Sequence, residues 1–163
     1  MRSSARPGRC RRRGVGTLEL ILTLPIVVVL LAALFEYGQL MILQSAVTHA
    51  ATVGAREAGK CSDIEMVARA VQSVVGVNCI VISDAPGSGT KVVLEDGTDG
   101  TSVFGDDDLD CGPPGNPLNP DEVRVTVCVH LSATPLCDPL GAFGFSLSDC
   151  RLHASALVKK EAP

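Results

Sequence analysis

Residues 20–35 read LILTLPIVVVLLAALF, from Leu20 to Phe35: sixteen positions with no charge and Thr23 as the single polar side chain. After Glu36, Tyr37, Gly38 and Gln39 the apolar character resumes at Leu40, Met41, Ile42 and Leu43. A helix over residues 15–43 therefore rises about 43 Å at 1.5 Å per residue, enough to span a bilayer. The alternative is a secretory signal peptide, whose apolar core of about 7 to 15 residues precedes small residues at a cleavage site. Ala32 and Ala33, or residues 48–51, would serve there.

Charge is distributed unevenly around this block. Of 14 basic residues in the 163-residue chain, six (Arg2, Arg6, Arg9, Arg11, Arg12 and Arg13) precede it, in a segment without an acid. The formal charge of −4 conceals this arm, because the rest holds 8 basic and 18 acidic residues, a balance of −10. A basic arm, an apolar block and an acidic remainder are the order of an exported protein. The arginines are expected to stay cytoplasmic, which places the C-terminal part outside. With one Tyr, four Phe and no Trp, the chain has few stacking platforms, and an acidic surface does not suit phosphates, so no nucleic-acid partner is expected.

The junction reads Arg11-Arg12-Arg13-Gly14-Val15-Gly16-Thr17-Leu18-Glu19. An acid costs roughly 2.5 to 3.5 kcal/mol at mid-bilayer and less towards a helix end, so Glu19 calls for a reason. Basic residues, a glycine and a Glu five positions on resemble the class III leader of type IV pilins. In that family a prepilin peptidase cuts after the glycine. Here the cut after Gly14 frees Val15 and makes Glu19 the fifth mature residue; Gly16 is the competing site. Pro25, six residues after Glu19, the Phe35-Glu36-Tyr37-Gly38 group and the small-residue stretch ending Ala55-Arg56-Glu57 narrow the resemblance to the TadE-like proteins of tight-adherence (Flp) pili. Leu20 stands where that family usually has an aromatic residue. The resemblance covers residues 11–59.

It implies a minor pilin-like (pseudopilin) component that helps assemble or prime a tight-adherence pilus. Prepilin peptidase, other pilin-like subunits, the assembly machinery and membrane lipid are its implied partners. Glu19 is expected to act in assembly, pairing with the Val15 amine of a neighbouring subunit. The competing function is a secreted or membrane-anchored, disulfide-rich binding or adhesion module outside any pilus.

Pro25 removes one N–H and crowds the carbonyl of Ile21, so a kink is expected there. Gly38, Ala46, Ala50, Ala51, Gly54, Ala55 and Ala58 form a narrow helix surface. Two readings stand for it, close approach of another helix or packing on the chain's own domain. Glu36 is expected to be the solvated exit of the helix.

Beyond Gly59, a suitable helix stop, the pattern changes. Ser62-Asp63-Ile64-Glu65 matches a capping box, and Ile64, Val67, Val71 and Val74 recur at helical spacing up to Gly76. Residues 78–83 and 90–95 read as strands joined by a turn at 84–89. Residues 122–131 alternate Val123, Val125, Val127, Val129 and Leu131 with Arg124, Thr126, Cys128 and His130, and 151–159 form a last strand. The stretch 96–120 holds six Asp, five Gly and four Pro and is expected to be a flexible acidic loop. Calcium on Asp96, Asp99, Asp106, Asp107, Asp108 and Asp110 is weighed against simple solvation, since the spacing is not that of an EF-hand.

No nucleophile motif lies near His49, His130 or His153, and the cysteine gaps match no zinc pair; no catalysis, resident metal or cofactor is expected. Seven cysteines become six once Cys10 leaves with the leader. Cys61, Cys79, Cys111, Cys128, Cys137 and Cys150 are then disulfide candidates outside the membrane, with 15 connectivities open. Cys128, opposite the valine face, is expected to bond away from the core.

The expected fold is thus α+β: a long N-terminal transmembrane helix followed by a small disulfide-linked α+β extracytoplasmic domain. Its divisions are a leader at 1–14, a membrane and extended helix at 15–59, and the domain at 60–163.

Overall fold

The structure, a computed structural model, describes residues 15–60, 63–98, 100–112 and 115–161. The expected leader with Cys10 and Gly14, and likewise Cys61, Ser62 and Asp99, lie outside these described residues. Helix α1 spans Val15–Ala58, 44 residues without interruption and about 66 Å long at 1.5 Å per residue. It runs through Pro25 and stops at Gly59, whose N–H still donates to the Ala55 carbonyl at 2.9 Å. Helix α2 spans Ile64–Val75 and returns along α1, burying Val67, Ala68, Val71 and Val75. Its N-cap is Asp63, whose side chain makes no cap bond; the Asp63 carbonyl instead receives the N–H groups of Met66 and Val67. The expected capping box rests on Ser62, which lies outside the described residues.

Four strands follow: β1 (Thr90–Asp96), β2 (Gly100–Gly105), β3 (Glu122–His130) and β4 (Arg151–Lys159). They form one antiparallel sheet in the order β2-β1-β3-β4. Two expected elements change. Residues 78–83 are not a strand: after a 3-10 turn at Gly76–Asn78 the chain runs irregularly beneath α2. The Gln72 amide donates to the Ile80 carbonyl and accepts from the Ile82 N–H, while the Thr90 hydroxyl donates to the Val81 carbonyl. Side chains thus satisfy the backbone groups that a ladder would have taken. The partner of β1 comes instead from the expected acidic loop, where Thr101, Ser102, Val103 and Phe104 pair with Glu95, Leu94, Val93 and Val92. Leu131 leaves the strand and opens a 3-10 turn, Leu131–Ala133.

One face of the sheet carries Val92, Val123, Val125, Val127 and Val129 against α1 and α2. This settles the two readings of the small-residue surface: Ala50, Ala51, Ala55 and Ala58 are buried on the chain's own domain. Gly54 shows how tight the contact is, because a Cβ there would lie 2.7 Å from Val71 Cγ2 and 3.1 Å from Val125 Cγ1. The opposite face of β3 is covered as well. Arg124 pairs with Glu95 on β1 at 3.2 Å and donates to the Asn116 carbonyl at 2.7 Å, and Cys128 bonds Cys111, so the segment after β2 folds back across the sheet. β3 is thereby buried on both sides, although its sequence alternates like a strand with one wet face.

Candidate membrane anchor and assembly site

α1 changes character along its length. In its first half Leu20, Ile21, Leu22, Leu24, Ile26, Val27, Val28, Leu30, Leu31 and Leu34 are all exposed, while Val29, Ala32 and Ala33 are half-buried on the side that leads to Glu36. The helix is long and apolar enough to cross a membrane. Val15 is its first residue, and Glu19 stands exposed one turn on. The Thr23 hydroxyl donates to the Glu19 carbonyl at 3.0 Å, which satisfies that polar group within the helix ahead of Pro25.

Glu36 is not a solvated exit. It is 4% exposed, and its Oε1 accepts the Leu140 N–H at 2.6 Å. The bond joins α1 to the loop at residues 135–150, across 104 positions of sequence. No local pattern links the two, which is why sequence reasoning missed it. The loop is itself held in shape. Asp138 accepts the Gly141 N–H at 2.7 Å and the Ser146 hydroxyl at 2.9 Å, and the Leu140 carbonyl receives the N–H groups of Phe143 and Phe145. The Ser146 bond, with the Gly141 and Leu147 N–H groups, holds the Asp138 carboxyl below the usual range. Gly144 sits at φ +87°, where a residue with a Cβ would be strained. Behind the loop, Leu40, Leu131, Leu136 and Leu147 help wall a cavity of about 240 Å3 against α1.

The acidic residues do not converge. Among the described residues no group of three or more His, Cys, Asp or Glu side chains is placed to hold a metal ion. Asp96 binds the Thr98 N–H and hydroxyl and pairs with Lys160 at 2.6 Å. Asp106 is buried, accepting the Gly89 N–H at 3.0 Å; that bond first, then those of Gly87 and Asp108 and the Lys91 charge, hold its carboxyl below the usual range. Asp107 and Asp108 face solvent, and Asp110 lies 3.6 Å from Arg151. The carboxylates of Asp96, Asp106 and Asp110 serve turns and ion pairs of the fold.

Of the cysteine candidates, Cys111 and Cys128 form a disulfide with a Cα–Cα separation of 6.3 Å, on the sheet face away from the helices. Cys79, Cys137 and Cys150 are exposed thiols. His49 and His153 are exposed, and His130 accepts the Ser132 N–H to cap the turn after β3.

Comparison with known proteins agrees with the N-terminal half of this picture. Residues 14–56 match the family model described as TadE-like protein. Neither the curated proteins nor the solved structures gave a match to the chain. The matched segment begins at Gly14 and covers nearly all of α1, and it suggests a pilin-like protein associated with a tight-adherence pilus. The single apolar helix is consistent with a single-pass membrane anchor.

Proposed function

We propose that this chain, TadE-like over residues 14–56, is a minor pilin-like subunit that helps assemble or prime a tight-adherence pilus. The observation that carries the reading is the match itself, which starts at the glycine where a prepilin peptidase would cut. It is supported by a first half of α1 whose large apolar side chains are free for lipid or for neighbouring helices. In this reading the leader stays cytoplasmic and the α+β domain lies outside. Cleavage after Gly14 gives Val15 a cationic amine near the membrane boundary. An ion pair between that amine and Glu19 of an adjacent subunit offsets the desolvation of both and sets the axial register. Pro25 loosens the helix beyond this pair by removing one backbone hydrogen bond.

N-terminal sequencing of membrane-purified protein should give Val15, and a start beyond Leu31 would replace this reading with the secreted-module one. Glu19→Ala should be processed normally and yet leave cells without pili; full piliation of that variant would remove the proposed role of Glu19.

A further inference from the structure

The chain has only five aromatic residues, and four of them are spent on the surface. Phe35 and Tyr37 on α1 are 56% and 59% exposed, and Phe143 and Phe145 on the loop are 55% and 70% exposed; Phe104 on β2 is the fifth. The Glu36–Leu140 hydrogen bond brings the two pairs to the same level of the molecule. That level is set independently by length. From Val15 to Phe35 is 21 residues, about 30 Å of helix, which equals the thickness of a bilayer's hydrocarbon core. Phe35 then lies at the far boundary of the bilayer, and the loop held by Glu36 lies beside it.

From this placement we infer that the loop at residues 139–145, Pro-Leu-Gly-Ala-Phe-Gly-Phe, is a second membrane contact. It inserts Phe143 and Phe145 into the headgroup boundary of the outer leaflet next to the exit of α1. The inference rests on the anchor reading above. The occupant is lipid because the loop is tied to α1 at Glu36, directly after the exposed apolar stretch ending at Phe35, and aromatic side chains favour the bilayer boundary. There is no Lys or Arg between Val125 and Cys150, so the contact is apolar and asks for no anionic headgroup. The loop is also pre-organised for it: the Glu36, Asp138 and Leu140 bonds fix its backbone, so little ordering entropy remains to be lost on insertion. In the fold it gives the domain two attachment points, which fixes the rotation of the domain about the helix axis as well as its height.

The chain has no Trp, so single reporters are simple to place. Full-length protein carrying Phe145→Trp, Leu30→Trp or Leu157→Trp is put into phosphatidylcholine nanodiscs and exposed to aqueous iodide or to lipids brominated along the acyl chain. Leu30 marks the span and Leu157, on β4 near the Gly59 end of α1, marks the distal side of the domain. Phe145→Trp is expected to lose most of its emission to shallow brominated lipid, to resist iodide, and to respond the same with added salt. Leu157→Trp should show the reverse. If Leu30→Trp is quenched by lipid while Phe145→Trp is quenched by iodide, the loop inference falls and the anchor stands. If Leu30→Trp is itself not quenched by lipid, the anchor reading falls with it. Protection of Phe145→Trp from both quenchers means that protein covers the loop, which also overturns the inference.

Discussion

Over residues 19–35, α1 leaves most of its Leu, Ile and Val side chains exposed, with only Val29, Ala32 and Ala33 half-buried, whereas over 43–58 the same helix buries Leu43, Val47, Ala50, Ala51, Gly54, Ala55 and Ala58 along one stripe. The mostly exposed apolar first half is consistent with a membrane anchor, because a bilayer surrounds a helix on all sides. The second has the three- and four-residue spacing of a helix that meets a core on one side. Side-chain size follows the same division: mostly large and branched where the helix is exposed, small where two helices and a sheet must approach closely. Secondary structure, shared by both halves, says nothing of this; what each half packs against decides its side chains.

The comparison breaks most visibly if a truncation costs the same in both halves. Leu43→Ala, in the buried stripe, should lower the stability of the domain by about 2–5 kcal/mol, read as a lowered melting temperature in detergent. Leu30→Ala, exposed in the first half, should change it by less than about 0.5 kcal/mol. Equal losses would mean that the first half also packs on the domain.

Removing the Cys111–Cys128 crosslink by the double substitution to Ser sharpens the same contrast. The loop it closes spans 17 residues, so the expected loss is about 2–4 kcal/mol, confined to the domain. Far-ultraviolet dichroism below the melt should show the helical signal unchanged, because no part of α1 is tied by that bond.

The boundary between the halves is Glu36. Glu36→Ala leaves the Leu140 N–H without its acceptor, a cost of about 1–3 kcal/mol if no water replaces it. Faster chymotryptic cutting after Phe143 and Phe145 would report it, while Glu36→Gln, which keeps an acceptor oxygen, should cut at close to the original rate.

The smallest effect is in acid. Because the native Asp106 carboxyl is held below its usual range, its contribution is fully present above that range and is lost as the pH falls through the lowered native value. Asp106→Asn should flatten the acid limb of a stability–pH profile for the domain. A profile of unchanged shape would show that the Gly89 and Gly87 contacts do not favour the charged form.

Much of this was legible in the residues, and what escaped has a common cause. The apolar run 20–35, the Val123-to-Val129 alternation and the stop at Gly59 are local patterns, and each became the element it specifies. β2 escaped because its pairing residues, Thr101 to Phe104, lie among aspartates and glycines whose count pointed to a loop; the flanking Gly100 and Gly105, both at positive φ, are its ends. The strand expected at 78–83 failed because one side chain, Gln72 of α2, supplies both a donor and an acceptor to the backbone there. The burial of Glu36 depended on a residue 104 positions away. Periodicity reports what a segment does with its immediate neighbours and is blind to polar groups matched across the fold.

One consequence of the uninterrupted α1 is mechanical. No linker separates the span from the core, so a pull along the first half arrives directly at the seam where Ala50, Gly54 and Ala55 meet α2 and the sheet. There is no slack to take up, and a tilt of the span becomes a swing of the domain about a lever some 66 Å long. The built-in weak point in that lever is Pro25, 11 residues before Glu36. Any bending is expected at Pro25, within the first half of α1, ahead of the joint with the domain.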